Sequence, residues 1–402
     1  MYNRFFNNNI MYKNFIYALA VAAGLFAFAS CSDDDDDDNS SSSSEETATE
    51  IASGTTLKGT ITSDVTLTEG STYYLSGEYI VEDGATLNIE AGVTIIALYD
   101  DIVDYILVKQ GGKINAVGTA ANPIVMTSES TVPGAWGGIH LCGKAPVNVE
   151  GGTGSSEIGD ATYGGTDASD NSGVLSYVRV EYTGYAFDEE HEANGITFYG
   201  VGNGTTVNHC EAYQGSDDGF EFFGGTVNIS YMVVESCSDD SFDWTEGWQG
   251  TGSYLVAFQE DESTLGYDCD CLIEADNNEN DYEATPVSHP TLSNLILVGN
   301  NSSSNKRGIR LRRGTEVTLN GAEITGKTYC VTLESTQTEQ ALVDGTSTLK
   351  NITADTELLS ENSLYTNDDF VSAGNSTTST VSYASMSDIV AANSWMSGNW
   401  VK

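Results

Sequence analysis

The chain has 402 residues, 59 acidic against 15 basic, for a formal net charge of −44. Neutralising phosphates takes clustered Lys and Arg, so a field this repulsive to polyanions excludes nucleic acid as a partner; a soluble partner has to be neutral, cationic or bridged by cations. A hydrophobic content of 39% with 10% aromatics still supplies a sizeable core, and 42 Gly, 21 Tyr and only 5 Pro point to many short strands joined by tight turns.

Residues 1–30 carry Arg4 and Lys13, no acid, and an apolar run from Phe15 to Phe28 before small residues. That is the pattern of a secretory signal, too short for a comfortable membrane span, and it predicts removal. Phe28-Ala29-Ser30-Cys31 resembles a lipobox, which implies lipidation of Cys31 as the mature N-terminus. Ser32, the aspartates from Asp33 to Asp38 and a Ser/Asn/Glu/Thr tract follow. Like charges repel and nothing apolar is available to bury, so 31–56 is expected to be an extended, disordered tether. An acidic stretch directly after a lipidated Cys is similar to the surface-export signal of Bacteroidetes lipoproteins. The resemblance implies a body lipid-anchored to the cell outer membrane and facing the exterior; a spacer facing the periplasm is the alternative.

From Leu57 onward no convincing amphipathic helix precedes the last residues, and four- to six-residue apolar/polar alternations ending in Gly, Asn or Asp recur. Ala85–Gly92, Ile106–Val108, Gly112–Gly118, Pro123–Met126 and Trp136–Leu141 form one such series. The repeat is explicit where Ser216-Asp217-Asp218-Gly219-Phe220-Glu221-Phe222 returns 22 residues later as Ser238-Asp239-Asp240-Ser241-Phe242-Asp243-Trp244. A period in the twenties with short strands is the signature of a solenoid whose coils bury their apolar faces against their neighbours; the Leu/Asn ladder of a leucine-rich repeat is absent. Extending the register gives two inward columns. One is Ile196, Phe220, Phe242, Ile273, Ile309 and Val331, and the other is Phe198, Phe222, Trp244, Ala275, Leu311 and Leu333. Both are uniformly apolar, as a stacked core requires.

These segments, with Asn171–Val174, Phe223–Val227 and Gly308–Thr315, resemble the right-handed parallel β-helix, or pectin-lyase-like, superfamily, and more closely the β-helix lipoproteins of Bacteroidetes surfaces. The implied architecture is all-β: a single parallel β-helix over 57–362, about ten to twelve coils and roughly 50 Å long at about 4.8 Å per coil. Residues 363–402 are expected to cap its open end, with a short helix at Ser387–Trp395 shielding the last core layer. The superfamily hosts lyases, hydrolases, adhesins and binding proteins, so function has to be argued from the site.

Between the inward columns, alternation forces one outward position per coil: Thr197, Glu221, Asp243, Glu274, Arg310 and Thr332. Before each strand lies a second polar column, Asn194, Asp218 and Asp240, with Asp217 and Asp239 beside it. Carboxylates about 5 Å apart repel, and Arg310 offsets one charge at most. A hard cation, Ca2+ above all, would offset the rest, with Glu221, Asp243, Glu274, Asp218 and Asp240 as ligands and Asp217, Asp239 and Arg310 touching a bound ligand. There is no EF-hand loop and no nonapeptide calcium repeat. The alternatives are a ladder in which the turn Asp and Asn side chains accept from neighbouring backbone amides, and a solvated face tied to Arg310 by salt bridges. Trp244 reads as core, whereas Trp248, in the following turn, is placed as an exposed ligand contact.

The constellation also resembles the calcium-dependent pectate lyases, which implies Arg310 as a catalytic base; an arginine takes that role only if displaced far from its ordinary pKa. The polygalacturonase Gly-His-Gly motif is missing, and His140, His191, His209 and His289 fall outside the acidic columns. Cys142, Cys210, Cys237, Cys269, Cys271 and Cys330 allow fifteen pairings, and a zinc set of Cys269, Cys271 and His209 or Cys330 is weakly signalled. Three readings follow: a surface lipoprotein recognising glycan or glycoprotein through an acidic, calcium-binding face, a calcium-dependent polysaccharide lyase, and a structural adhesin or envelope-coat protein. The family resemblance adds a TonB-dependent uptake system as a partner of the first.

Overall fold

The computed structural model describes residues 48–100, 102–186, 192–380 and 383–402. The signal segment, Cys31, most of the tether and His191 lie outside the described residues. Short strands stack in parallel on three faces of a right-handed β-helix. The face that matters for function runs through Ile139–Cys142, Ile196–Tyr199, Phe220–Phe223, Phe242–Thr245, Ile273–Ala275, Arg307–Leu311 and Tyr329–Leu333, each hydrogen-bonded to the next. The other two faces are built from longer strands such as Thr206–Tyr213, Asn228–Glu235, Thr251–Phe258, Thr291–Val298 and Thr318–Thr325. Each of these bends once, at a residue with positive φ: His209, Tyr231, Tyr254, Asn294 and Gly321.

The register matches the sequence reading. Ile196 pairs with Phe220 and Phe220 with Phe242; Ile273 pairs with Ile309 and Ile309 with Val331. Every member of both inward columns is buried. Large rings fill the widest layers in stacked pairs, Phe198 on Phe222 at 5.0 Å and Phe220 on Phe242 at 5.7 Å between centroids. Offset stacking of this kind adds about 0.5–1.5 kcal/mol per pair beyond area burial.

Both ends depart from expectation. The first strand is Thr49–Ile51, paired with Val65–Leu67, so the coil starts inside the segment expected to be tether. At the other end the core is closed by helices Thr336–Asp344, which buries Leu342, and Asn367–Ser372, which places Phe370 in the core. Of the segment 363–402 expected to cap, helix Asn367–Ser372 does so and the final residues do not. The expected helix forms as Met386–Ala392 followed by a 3-10 turn at Ser394–Met396, but it lies on the outside of the coil. Met386, Ile389, Met396 and Trp400 pack there on Val233, Val256, Phe258 and Val298. The strand alternation turns these four valine and phenylalanine side chains outward, and the tail covers them.

Candidate functional site

The outward column is continuous: Thr197 pairs with Glu221, Glu221 with Asp243, Asp243 with Glu274, and Glu274 with Arg310. It is not an open face. Inserted segments roof it, with 143–170 bringing Glu157, 192–195 bringing Glu192, and the stretch before Leu272 bringing Asp270. The result is a cavity of ≈ 340 Å³ lined by Glu157, Glu192, Asn194, Asp217, Asp218, Glu221, Asp239, Asp240, Asp243, Asp270, Glu274 and Arg310. Glu157, Glu221 and Asp243 also line an adjoining cleft of ≈ 1080 Å³, whose walls include Phe223, Asn148, Asn278, Arg312 and Arg313.

The Asn194, Asp218 and Asp240 column of the polar ladder forms as the alternative reading has it. Asp218 N–H donates to Asn194 Oδ1 at 3.2 Å, Asp240 N–H to Asp218 Oδ1 at 2.9 Å, and Cys271 N–H to Asp240 Oδ1 at 2.6 Å. Each side chain therefore spends one oxygen on the next coil's backbone. That leaves the second oxygen of Asp218 and Asp240 to the cavity. Asn194 Nδ2 also donates to Glu221 Oε2 at 2.5 Å. Asp243, at the centre, has a buried Oδ1 with no hydrogen-bond partner.

Carboxylate oxygens converge in overlapping triads, Asp218 with Glu221 and Asp243, Asp240 with Asp243 and Glu274, and Asp217 with Asp218 and Asp239, all within 4.8 Å inside each triad. At that separation two ionised groups repel by roughly 3–4 kcal/mol at an effective dielectric of about 20. Burial first, and the neighbouring carboxylates second, hold Asp217, Asp218, Glu221, Asp240 and Asp243 well above the usual carboxylate range. The same causes push Asp239 up to about 6. Burial also raises Glu274, although Arg312 and Arg310 pull it down.

These are hard oxygen donors whose mutual spacing suits an ion with oxygen ligands at about 2.3–2.6 Å, so the residues fit Ca2+. A further triad, Asp240 with Asp270 and Cys271, contains a soft thiol that burial pushes up, and it does not suit calcium.

Arg310 does not stand ready as a base. Its Nη1 donates to Glu274 Oε1 at 2.6 Å, and its Nε and Nη2 donate to Glu334 Oε1 and Oε2, both at 2.9 Å. Burial alone would lower its pKa, but the hydrogen bonds to Glu334 and the charge of Glu274 outweigh burial and raise it. In this structure Arg310 is a charge clamp between Glu274 and Glu334, and its role as a base stays an expectation of the lyase reading. The salt-bridge reading holds for Glu274 and not for Glu221 or Asp243. Arg312 joins the clamp, bonding Glu274 and donating its Nε–H to Asp276 Oδ1 at 2.7 Å.

The placement of Trp248 is corrected. It is 1% exposed, stacks on Phe222 at 4.2 Å, and donates its indole N–H to Val227 O at 3.1 Å. Gly247, at φ 89, turns the chain so that the ring enters the core rather than the cleft. Trp244 is core, as expected. The six body cysteines are all free and buried, and no described Cys/His set has metal-ligand spacing.

The pKa directions give a pH prediction. Groups raised on folding contribute stability that is present below their unfolded pKa and lost as pH rises through the folded pKa. His140, buried and lowered to about 4, opposes this by losing stability as pH falls below about 6.5. The raised carboxylates outnumber it. In chelator, the Tm is expected to rise as pH falls from about 8 to about 5; in excess calcium the order inverts, because the ion competes with protons for the same oxygens. Tm measured at both pH values with and without calcium checks it.

Fold and cavity together define a parallel β-helix with a roofed carboxylate pocket on one face. The chain belongs to the pectate-lyase-like β-helix domain family, whose model matches residues 59–401. No curated protein and no solved structure shows significant similarity to it.

Proposed function

We propose that this protein is a surface lipoprotein that holds calcium in the carboxylate cavity and uses it to recognise a glycan or glycoprotein lying in the adjoining cleft. The observation that carries the reading is the unpartnered, buried Asp243 Oδ1 among carboxylates whose neighbouring guanidiniums are already committed, Arg310 to Glu274 and Glu334 and Arg312 to Glu274 and Asp276. Positive charge has to come from elsewhere, and protons or a hard cation are the two sources. The cleft supports a polyhydroxylated ligand: it adjoins the carboxylate cavity and offers the Phe223 ring and the part-exposed Arg313 guanidinium. Support for outer-membrane anchoring is the Phe28–Cys31 sequence and the aspartates after it, and partnership with a TonB-dependent uptake system rests on the resemblance alone.

A glycan array probed with the protein in calcium and again in chelator tests the proposal. Binding that appears only with calcium and disappears in Glu221→Gln/Asp243→Asn supports it, and an array silent in both conditions leaves the adhesin or coat reading. The clamp makes a companion prediction. Arg310→Ala is expected to cost about 1–3 kcal/mol of stability, because Glu274 and Glu334 each lose one of two counter-charges and keep Arg312 and Arg307 respectively. No absorbing unsaturated product is expected from uronic-acid polymers with either form. Product formed by the wild type and abolished by Arg310→Ala would restore the lyase.

A further inference from the structure

The bend residues of the two long faces form a column of their own. In successive coils it reads Tyr177, His209, Tyr231 and Tyr254, all at φ between 52 and 58. Their rings stack at 4.3, 4.5 and 4.9 Å between centroids, with interplanar angles of 19°, 18° and 10°. The left-handed conformation costs about 1–2 kcal/mol at a non-glycine residue, and the stack offsets part of that. Register then places Asn294, Gly321 and Asn351 in the same column. The rings stop at Tyr254, which has one face on Tyr231 and remains 39% exposed.

Above Tyr254 the space is open. A Cβ built at Gly321 would meet nothing nearer than Asn294 N at 3.7 Å. The opening is a groove of ≈ 400 Å³. Trp395 walls one side, its ring 6.2 Å from that of Tyr254 and tilted by 62°, so it flanks the exposed face without covering it. The edges are polar: the amides of Asn294 and Asn351, and Glu323, which accepts from Tyr383 Oη at 2.9 Å. One flat apolar floor with amide and carboxylate edges suits a ring that is apolar on its faces and hydroxylated at its rim.

We infer that this groove binds a neutral pyranose, which stacks on the exposed face of Tyr254 beside the short Asn294 side chain that holds the next rung, and hydrogen-bonds its hydroxyls to Asn294, Glu323 and the side-chain carbonyl of Asn351, whose Nδ2 donates to Asn320 Oδ1 at 2.6 Å. A net charge of −44 disfavours a uronate here, and no basic side chain among the described residues lines the groove. The volume sits at the lower end of small-molecule sites, enough for one or two sugar rings. The groove is separate from the carboxylate cavity and shares no residue with it, so it does not depend on the calcium reading.

The test is titration of the full-length protein, in chelator, with neutral hexasaccharides of xylose, glucose and mannose, read by Trp395 fluorescence and by calorimetry. At least one is expected to bind at millimolar concentration or below. Tyr254→Ala is expected to weaken it by about tenfold or more and Tyr254→Phe to leave it unchanged, since the ring face and not the hydroxyl makes the stack. Asn294→Tyr fills the rung with a residue type this column already carries at positive φ, and is expected to abolish binding while raising Tm. The inference is overturned if no hexasaccharide binds, if Tyr254→Ala and Asn294→Tyr bind as the wild type does, or if binding needs calcium, which assigns the sugar to the acidic cavity. It is equally overturned if a Tyr-containing tripeptide occupies the groove and the sugars do not.

Discussion

Asp243→Asn is expected to stabilise the calcium-free protein by about 1–3 kcal/mol near neutral pH and to remove most of its response to calcium. The wild-type carboxylate has a buried oxygen without a partner and stands between Glu221 and Glu274 on adjacent coils. An amide of the same shape carries no charge, and its N–H groups can donate to those two neighbours. The same change removes the carboxylate shared by two of the oxygen triads. In the wild type, calcium at about a hundred times its Kd adds about 2.7 kcal/mol, a shift of several degrees. Thermal melts of both proteins across a calcium titration separate the outcomes: a variant that melts lower in chelator, or that gains as much from calcium as the wild type, rejects the site.

Trp248→Ala is expected to cost about 3–5 kcal/mol and to lower the unfolding temperature with or without ligand. The indole is fully buried between Phe222 and Trp244, at 4.2 and 5.8 Å between centroids, and satisfies its own N–H on Val227. Removing it opens a void in the widest layer of the core and leaves Val227 O without that donor. Trp248→Phe keeps most of the volume and is expected to lose much less. Denaturant melts give the magnitude, and a glycan titration on the folded fraction supplies the contrast. A variant of undiminished stability that fails to bind would return Trp248 to the ligand site.

The register was legible because the inward residues alternate without exception, and a one-residue slip would have put Phe220, Phe222, Phe242 and Trp244 in water. The stacking of Glu221, Asp243 and Glu274 follows from that alone. Glu157, Glu192 and Asp270 were not legible, because they sit in insertions with no period to place them. Glu334 and Arg312 could have been found: continuing the alternation by two residues from Thr332 and from Arg310 turns both outward, onto the face that clamps Arg310 and Glu274. Trp248 was misplaced for a different reason. It lies past the strand, where two consecutive left-handed residues, Glu246 and Gly247, decide which way the chain turns, and no alternation extends through such a turn.

The tail on the outside of the coil has a mechanical consequence. A solenoid held only by contacts between adjacent layers can peel from either end, one layer at a time. Here one short segment is fastened to layers far apart. Asn399 N–H donates to Ala120 O at 2.7 Å, the Lys402 ammonium lies 2.9 Å from Glu181 Oε2, and Ile389 and Met386 share a cluster with Val298. Fraying at the far end is therefore resisted by attachments near the start, and the molecule behaves less like a zip than like a bundle tied lengthwise with its own cord.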